Sequence, residues 1–308
     1  MDNITTNITV STIDGAIVYY PRSGTTIRFD QQEAQNILGV LPGTDRHCEL
    51  VHINITDRCN KSCEYCYVDR HNQDMALSDF KEIVDKCVKA KVFQITLGGG
   101  EPFLHPQIHE MVRYAAERIN VCTTSNGSFV NPAWLFSQRM TLTKFRQINV
   151  SYHENFSELE TALEFLQKLQ VRRGINFVYN KNSKRNIPRI VALAKQYEAE
   201  LLLLQYKPIR AQDWDDYVAP EETFKVAQYI AKNSGIGVAI DGACALKCMM
   251  KKCFMTVGID GMVYPCSFVH KPAMGNIFFE DVATIWAHRG DPVKCPYLKE
   301  EDKAKLVQ

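Results

Sequence analysis

No stretch of this sequence runs apolar for the length of a membrane span, and its first ten residues are too polar for a secretory signal. Neither sign of charge prevails: 36 Lys and Arg stand against 35 Asp and Glu, a net of +1. A protein that grips phosphates along nucleic acid needs an excess of cations, so neither a nucleic acid nor a membrane is an expected partner. The expected setting is cytoplasmic. A reducing cytoplasm disfavours disulfides, which makes the 11 cysteines the feature to explain, and metal ligation explains them best. Hydrophobic residues make up 45% of the 308, enough to bury one large domain or a domain with a small appendage.

Three cysteines lie in Asp57-Arg58-Cys59-Asn60-Lys61-Ser62-Cys63-Glu64-Tyr65-Cys66-Tyr67, directly after an apolar run at 51–55. A loop this short lets three thiolates converge, and thiolates are soft ligands suited to zinc or iron–sulfur clusters. Three ligands leave a four-ligand site open, so that a cluster here would keep one iron free for a small molecule. A zinc finger or a redox disulfide is the ordinary alternative. Downstream, Leu97-Gly98-Gly99-Gly100-Glu101-Pro102 combines glycines that admit close backbone approach with a carboxylate able to accept from an ammonium.

Together these motifs resemble the radical S-adenosylmethionine (SAM) superfamily, whose signature is this cysteine spacing with an aromatic, here Tyr65, before the last cysteine. The resemblance implies a [4Fe-4S] cluster on Cys59, Cys63 and Cys66 with an open iron that binds SAM. It also implies that Gly99, Gly100 and Glu101 touch the methionine end, with Glu101 on the amino group. An electron donor such as flavodoxin or ferredoxin is the implied partner.

From 51 to about 208 the pattern alternates between strands, at 51–56, 92–97, 119–124, 147–152, 175–179 and 201–206, and helices, at 79–89, 107–118, 132–138, 157–169 and 187–197. Ser78 and Ser157 suit N-caps, and Pro132 and Pro188 suit first turns. Six such repeats predict an α/β fold with a parallel sheet. The resemblance selects a partial (β/α)6 barrel at 51–210, between a small β-rich module at 1–50 and an auxiliary domain at 211–308. Active sites of such barrels gather where strands end. Ser125 and Asn126 follow the third strand, and Ser151 on the fourth resembles a ribose-contacting position. Asn176, Tyr179, Gln205 and Tyr206 are candidates to face a substrate, and Tyr206, His153 or Arg210 to act as a base. The charged segment 211–222 and the terminus from 294 to 305 read as solvated.

In the module, 6–12 and 15–20 read as a hairpin, 25–29 as a further strand and 31–38 as a helix. It is expected to cap the barrel bottom or, through 1–41, to hold a peptide by strand addition. Cys48, Cys87 and Cys122 read as buried thiols.

The tail carries Cys244, Cys248, Cys253, Cys266 and Cys295. Asp260-Gly261 signals a hairpin between 253 and 266. Gly261, Cys266, Gly275-Asn276-Ile277 and Trp286 follow in an order that resembles the SPASM and shorter twitch extensions of radical SAM enzymes. Five cysteines suffice for one auxiliary iron–sulfur cluster. Cys248, Cys266 and Cys295 fit best, with Cys244 or Cys253 as the fourth ligand and a structural zinc as the alternative.

By resemblance, the chain is an enzyme that reductively cleaves SAM and uses the 5′-deoxyadenosyl radical to take hydrogen from a substrate. The leading expectation is maturation of a ribosomally made peptide by cross-linking, oxidation or epimerisation. A twitch-type dehydrogenase of a small-molecule alcohol is the runner-up, and an iron–sulfur electron carrier or scaffold is the alternative from another class.

Overall fold

A computed structural model describes residues 6–128, 140–241, 253–290 and 295–303. The helix expected at 132–138, Cys244 and Cys248 lie outside these residues.

The first element is an antiparallel sheet, β1 (Ile8–Thr12), β2 (Gly15–Tyr20) and β3 (Thr25–Phe29), in the order β1-β2-β3. Helix α1 (Gln31–Leu38) follows. Its start is fixed reciprocally: Asp30 accepts from the Glu33 amide while the Glu33 side chain accepts from the Asp30 amide.

The remaining strands form one open sheet. In chain order the elements are β4 (Leu50–Thr56), α2 (Leu77–Lys89), β5 (Gln94–Gly99), α3 (Ile108–Ala116), β6 (Asn120–Ser125), β7 (Gln147–Ser151), α4 (Phe156–Lys168) and β8 (Arg173–Tyr179). Next come α5 (Ile187–Gln196), β9 (Glu200–Gln205), α6 (Pro220–Ser234), β10 (Val238–Ile240), β11 (Phe254–Val257), β12 (Met262–Tyr264), β13 (Gly275–Asn276), α7 (Val282–Ala287) and α8 (Glu300–Lys303). The strand order is β10-β9-β8-β7-β6-β5-β4-β11-β12-β13. The six expected strands are consecutive and parallel. Val51, Ile53 and Ile55 on β4, and Ile95 and Leu97 on β5, are buried in a core shared with Phe80, Ile83 and Val84 of α2.

Three expectations need correction. Helix α2 begins after Ala76 without a side-chain cap, and Ser78 turns its hydroxyl to Asp79 instead. Helix α4 is capped by Asn155, whose side chain accepts from the amides of Ser157 and Glu158; an amide oxygen one step outside the helix reaches donors that the Ser157 hydroxyl, already inside it, does not. The tail segments are also less solvated than their charge suggests. Tyr217 is buried beside Cys295 and Leu298, and its hydroxyl donates to Asp302 Oδ2 at 2.7 Å, which buries that carboxylate in α8. A buried phenol needs a partner, and Asp302 supplies it.

The tail strands extend the barrel sheet: β10 joins β9 in parallel, and β11 joins β4 in parallel and β12 in antiparallel. The N-terminal module instead sits where the parallel strands start. Tyr19 stacks on Phe93 with ring centroids 4.7 Å apart. The Asn120 amide donates to the Tyr19 hydroxyl and the Pro21 carbonyl, and Arg28 meets Glu49 through two bonds of 2.8 Å.

Candidate functional site

At the opposite end, where the strands finish, the cysteine loop is tied shut at its base. Asp57 accepts from the amides of Gln73 (2.7 Å) and His71 (2.9 Å), and Thr56 Oγ1 donates to Asp74 at 2.7 Å. Within the loop, Lys61 pairs with Glu158 at the start of α4. Asn126 donates to Asn60 at 2.9 Å, and its amide nitrogen lies 3.8 Å from Cys59 Sγ.

The glycine turn packs onto the entry of this loop. Gly99 has φ +113°, and a side chain there would begin 2.1 Å from the Thr56 carbonyl oxygen. Gly100 donates its amide to Thr56 and Glu101 to Arg58, each at 2.7 Å. The glycines are therefore needed for contact between two loops, whatever a ligand requires.

Cys59, Cys63, Cys66, Tyr65, Gly99 and Gly100 line one cavity of about 440 Å³, together with Ser125, Asn126 and Ser151. Cys266 and Cys295 line the same cavity. Among the described residues, no three His, Cys, Asp or Glu side chains converge as a single metal ion requires. Three cysteines in one loop beside an open space are a donor set that a polynuclear iron–sulfur cluster can use. A second observation also fits a bound group: Asn176, buried and lining the cavity, has no partner for Oδ1, while its nitrogen donates to Thr124 at 3.3 Å. A buried acceptor of this kind calls for a donor from outside the chain.

Glu101 does not reach the cavity wall. It is buried, and its Oε1 accepts from Ser125 Oγ (2.9 Å) and the Phe103 amide (3.2 Å), its Oε2 from the Asn126 amide (2.7 Å). Burial outweighs these three donors and pushes the acid up to about 7. The side chain binds the end of β5 to the end of β6, and Asn126 carries that constraint to Cys59.

Tyr65 and His153 form a pair: the hydroxyl lies 3.0 Å from Nδ1, which is also 3.3 Å from Cys63 Sγ. Burial, then nearby Lys61, lowers the imidazole to about 4, so it is neutral at pH 7. Tyr206 also lines the cavity, but burial pushes its phenol up to about 12. Arg210 is engaged with Asp213. At neutral pH Tyr206 and Arg210 keep their protons, which leaves His153 as the one of the three in the proton-accepting form. Tyr179 faces away, donating to Glu222 at 3.1 Å. Gln205 borders the cavity while its amide bonds Val218 and Thr223.

Of the tail cysteines, Cys253 is set apart from Cys266 and Cys295. It precedes β11, its carbonyl accepts from the Glu49 and Leu50 amides, and its thiol is close enough to influence Cys48 and Arg28. Of the three thiols expected to be buried, Cys48 and Cys87 are, and Cys122 is half-buried.

The sequence reading missed His52 and Asp57. On β4, buried Val51, Ile53 and Ile55 alternate with His52 and Asn54, and polar residues on that second face mark the side turned to a polar interior. His52 lines the cavity, and burial lowers its pKa to about 4.

Comparison with known proteins agrees with this geometry. The profile of the radical SAM superfamily matches residues 53–153, and that of SPASM, an iron–sulfur cluster-binding domain, matches residues 248–304. The chain carries a radical SAM domain followed by a SPASM domain. Its cofactors are accordingly SAM, a [4Fe-4S] cluster and auxiliary iron–sulfur. Mycofactocin maturase MftC of Mycobacterium tuberculosis is 26% identical over 172 residues, which are 50% of this chain and 44% of that protein. AdoMet-dependent heme synthase of Methanosarcina barkeri is 23% identical over 288 residues, 77% of this chain and 81% of that one. Streptococcus suis SuiB, solved with S-adenosylmethionine bound, shares the fold at a TM-score of 0.73 and 15% identity, over 93% of this chain and 87% of SuiB.

Proposed function

We propose that this chain is a radical SAM maturase of a ribosomally made peptide, with Cys59, Cys63 and Cys66 holding the SAM-binding cluster. Cys266 and Cys295 would hold one auxiliary cluster together with Cys248 and Cys244, because Cys253 is not among the residues that line the cavity. The observation that carries the reading is one cavity with thiols of both cysteine groups in its wall. Bound there, the first cluster supplies an electron and SAM the hydrogen-abstracting group. The chain's own residues position and enclose. Tyr65, braced by His153, and Ser151 line the wall that would hold SAM, and Asn176 would offer its unpaired acceptor. A substrate would then lie between the two groups of cysteines.

The likeness to a mycofactocin maturase supports a peptide substrate, as does the shared fold with SuiB, which has also been solved bound to its precursor peptide SuiA. A second reading, a tetrapyrrole-modifying enzyme, draws on the heme synthase, of which this chain spans 81%. The test is anaerobic reconstitution followed by incubation with reductant, SAM and either the short peptide encoded nearest the gene, an iron–coproporphyrin or a small polyol. A peptide mass change with matched 5′-deoxyadenosine supports the maturase. Turnover of the porphyrin or the alcohol alone replaces it.

A further inference from the structure

We propose that His52 is a positioning residue for the auxiliary site: by holding Ser267 it fixes the turn that carries Cys266 and locks it to the loop that carries Cys66. The proposal rests on the reading that Cys266 is a cluster ligand.

The imidazole is clamped on two sides. Its Nδ1 lies 2.6 Å from Ser267 Oγ, which is also 3.1 Å from Thr256 Oγ1. Thr256 is the residue paired with His52 across β4 and β11. On the other side, a side chain at Gly98 would begin 2.0 Å from Nε2, so the glycine is the room the ring occupies. Ser267 receives a third neighbour, the hydroxyl of Tyr67, one residue past Cys66. The Tyr67 ring packs on Phe268 with centroids 4.1 Å apart. One serine thus joins the first cysteine loop, the glycine turn and the tail.

The consequence falls on the Cys266 sulfur. The Phe268 amide donates to Cys266 Sγ at 3.5 Å, and the Val269 amide to the Cys266 carbonyl at 3.3 Å. Both belong to the short turn that Ser267 anchors. Hydrogen bonds to ligand sulfurs raise a cluster's reduction potential, and groups behind the ligands hold those bonds in place. Releasing Ser267 loosens the N–H to sulfur contact.

The test is a redox titration of fully reconstituted protein followed by electron paramagnetic resonance, with iron content measured alongside. His52→Phe fills the space without the bond, and Ser267→Ala removes one oxygen. In both, the auxiliary cluster shifts to a more negative potential, while iron content and the SAM-induced change in the first cluster's signal stay as in wild type. His52→Asn, which returns a polar atom near the position of Nδ1, restores the potential. Should His52→Phe not fold, Ser267→Ala gives the same reading. Unchanged potentials in the folded variants overturn the proposal, as does a loss of iron from both sites, which would make His52 a general structural residue. A wild-type protein that loads one cluster alone sinks the underlying reading instead.

Discussion

The two cysteine sites share a cavity but are built in opposite ways. Cys59, Cys63 and Cys66 come from one eight-residue stretch whose base is closed by Asp57 and whose flank is held by Lys61 and Asn126. Cys266 and Cys295 come from segments far apart in sequence, held by Ser267 under His52 and by a small cluster of Tyr217, Cys295 and Leu298. A local loop keeps its shape through hydrogen bonds and an ion pair that exist without metal. An assembled site with so little apolar surface around it depends on the metal for part of its stability.

The largest effects should follow this division. Replacing Cys59, Cys63 and Cys66 with alanine should abolish SAM cleavage and remove about four irons per chain, while the melting temperature of the metal-free protein stays near wild type. Cys266→Ser and Cys295→Ser should also remove about four irons, but with increased proteolysis of the tail in the loaded protein. Cys253→Ser should leave the iron content unchanged. Iron analysis with limited proteolysis checks all of these, and loss of iron from Cys253→Ser would erase the distinction drawn between the tail thiols.

The same division explains what the sequence made legible. The first cysteine loop was readable because its cysteines and their spacing lie in one run, and the parallel strands because their apolar residues fill a core buried on one side or both. The hairpin at Asp260-Gly261 was readable because Gly261 adopts φ +76° at the turn. Pairing of β11 with β4 was not, since it joins residues some 200 positions apart and no local pattern encodes a partner. Glu101 was legible as a motif, but its bonds to Ser125, Asn126 and Phe103 were not. Which way a carboxylate turns depends on donors 24 and 25 residues downstream. The start of α4 failed for a smaller reason: serine and asparagine compete for the same role within three positions, and side-chain reach decided for Asn155.

A middle-sized effect tests whether the first site owes its shape to Glu101. The folded protein holds this proton more tightly than an unfolded chain does, where the carboxyl titrates near 4.5. Its contribution to stability is therefore complete below about pH 4.5 and is lost as the pH rises through about 7. Glu101→Gln cannot ionise, and one end of its amide meets a donor. At low pH the variant should be less stable by about 1–2 kcal/mol, and the gap should narrow or reverse above pH 7. Melting curves of metal-free protein across pH 4–9 show this directly; a gap that does not vary with pH would mean that Glu101 is not the titrating group.

The smallest effect comes from the end of the barrel that carries no cysteine site. Asn120 donates to the Tyr19 hydroxyl and to the Pro21 carbonyl, so Tyr19→Phe removes one of two acceptors and leaves the stack on Phe93 in place. The expected cost is about 0.5–1.5 kcal/mol, with SAM affinity unaltered, because Tyr19 and the cavity lie at opposite ends of the strands. Deleting residues 1–41 would expose Phe93 and Asn120 and confound stability with binding; the single hydroxyl does not. If the module is a base for the barrel, Tyr19→Phe lowers the melting temperature and leaves the apparent affinity for a peptide substrate unchanged. If it also grips the peptide along the open edge of β3, substitutions on that edge, such as Thr26→Pro, should weaken peptide binding several-fold while SAM cleavage without peptide continues at the wild-type rate. Equal peptide affinity in Thr26→Pro and wild type would confine the module to the structural role that its contacts with Phe93, Asn120 and Glu49 already display.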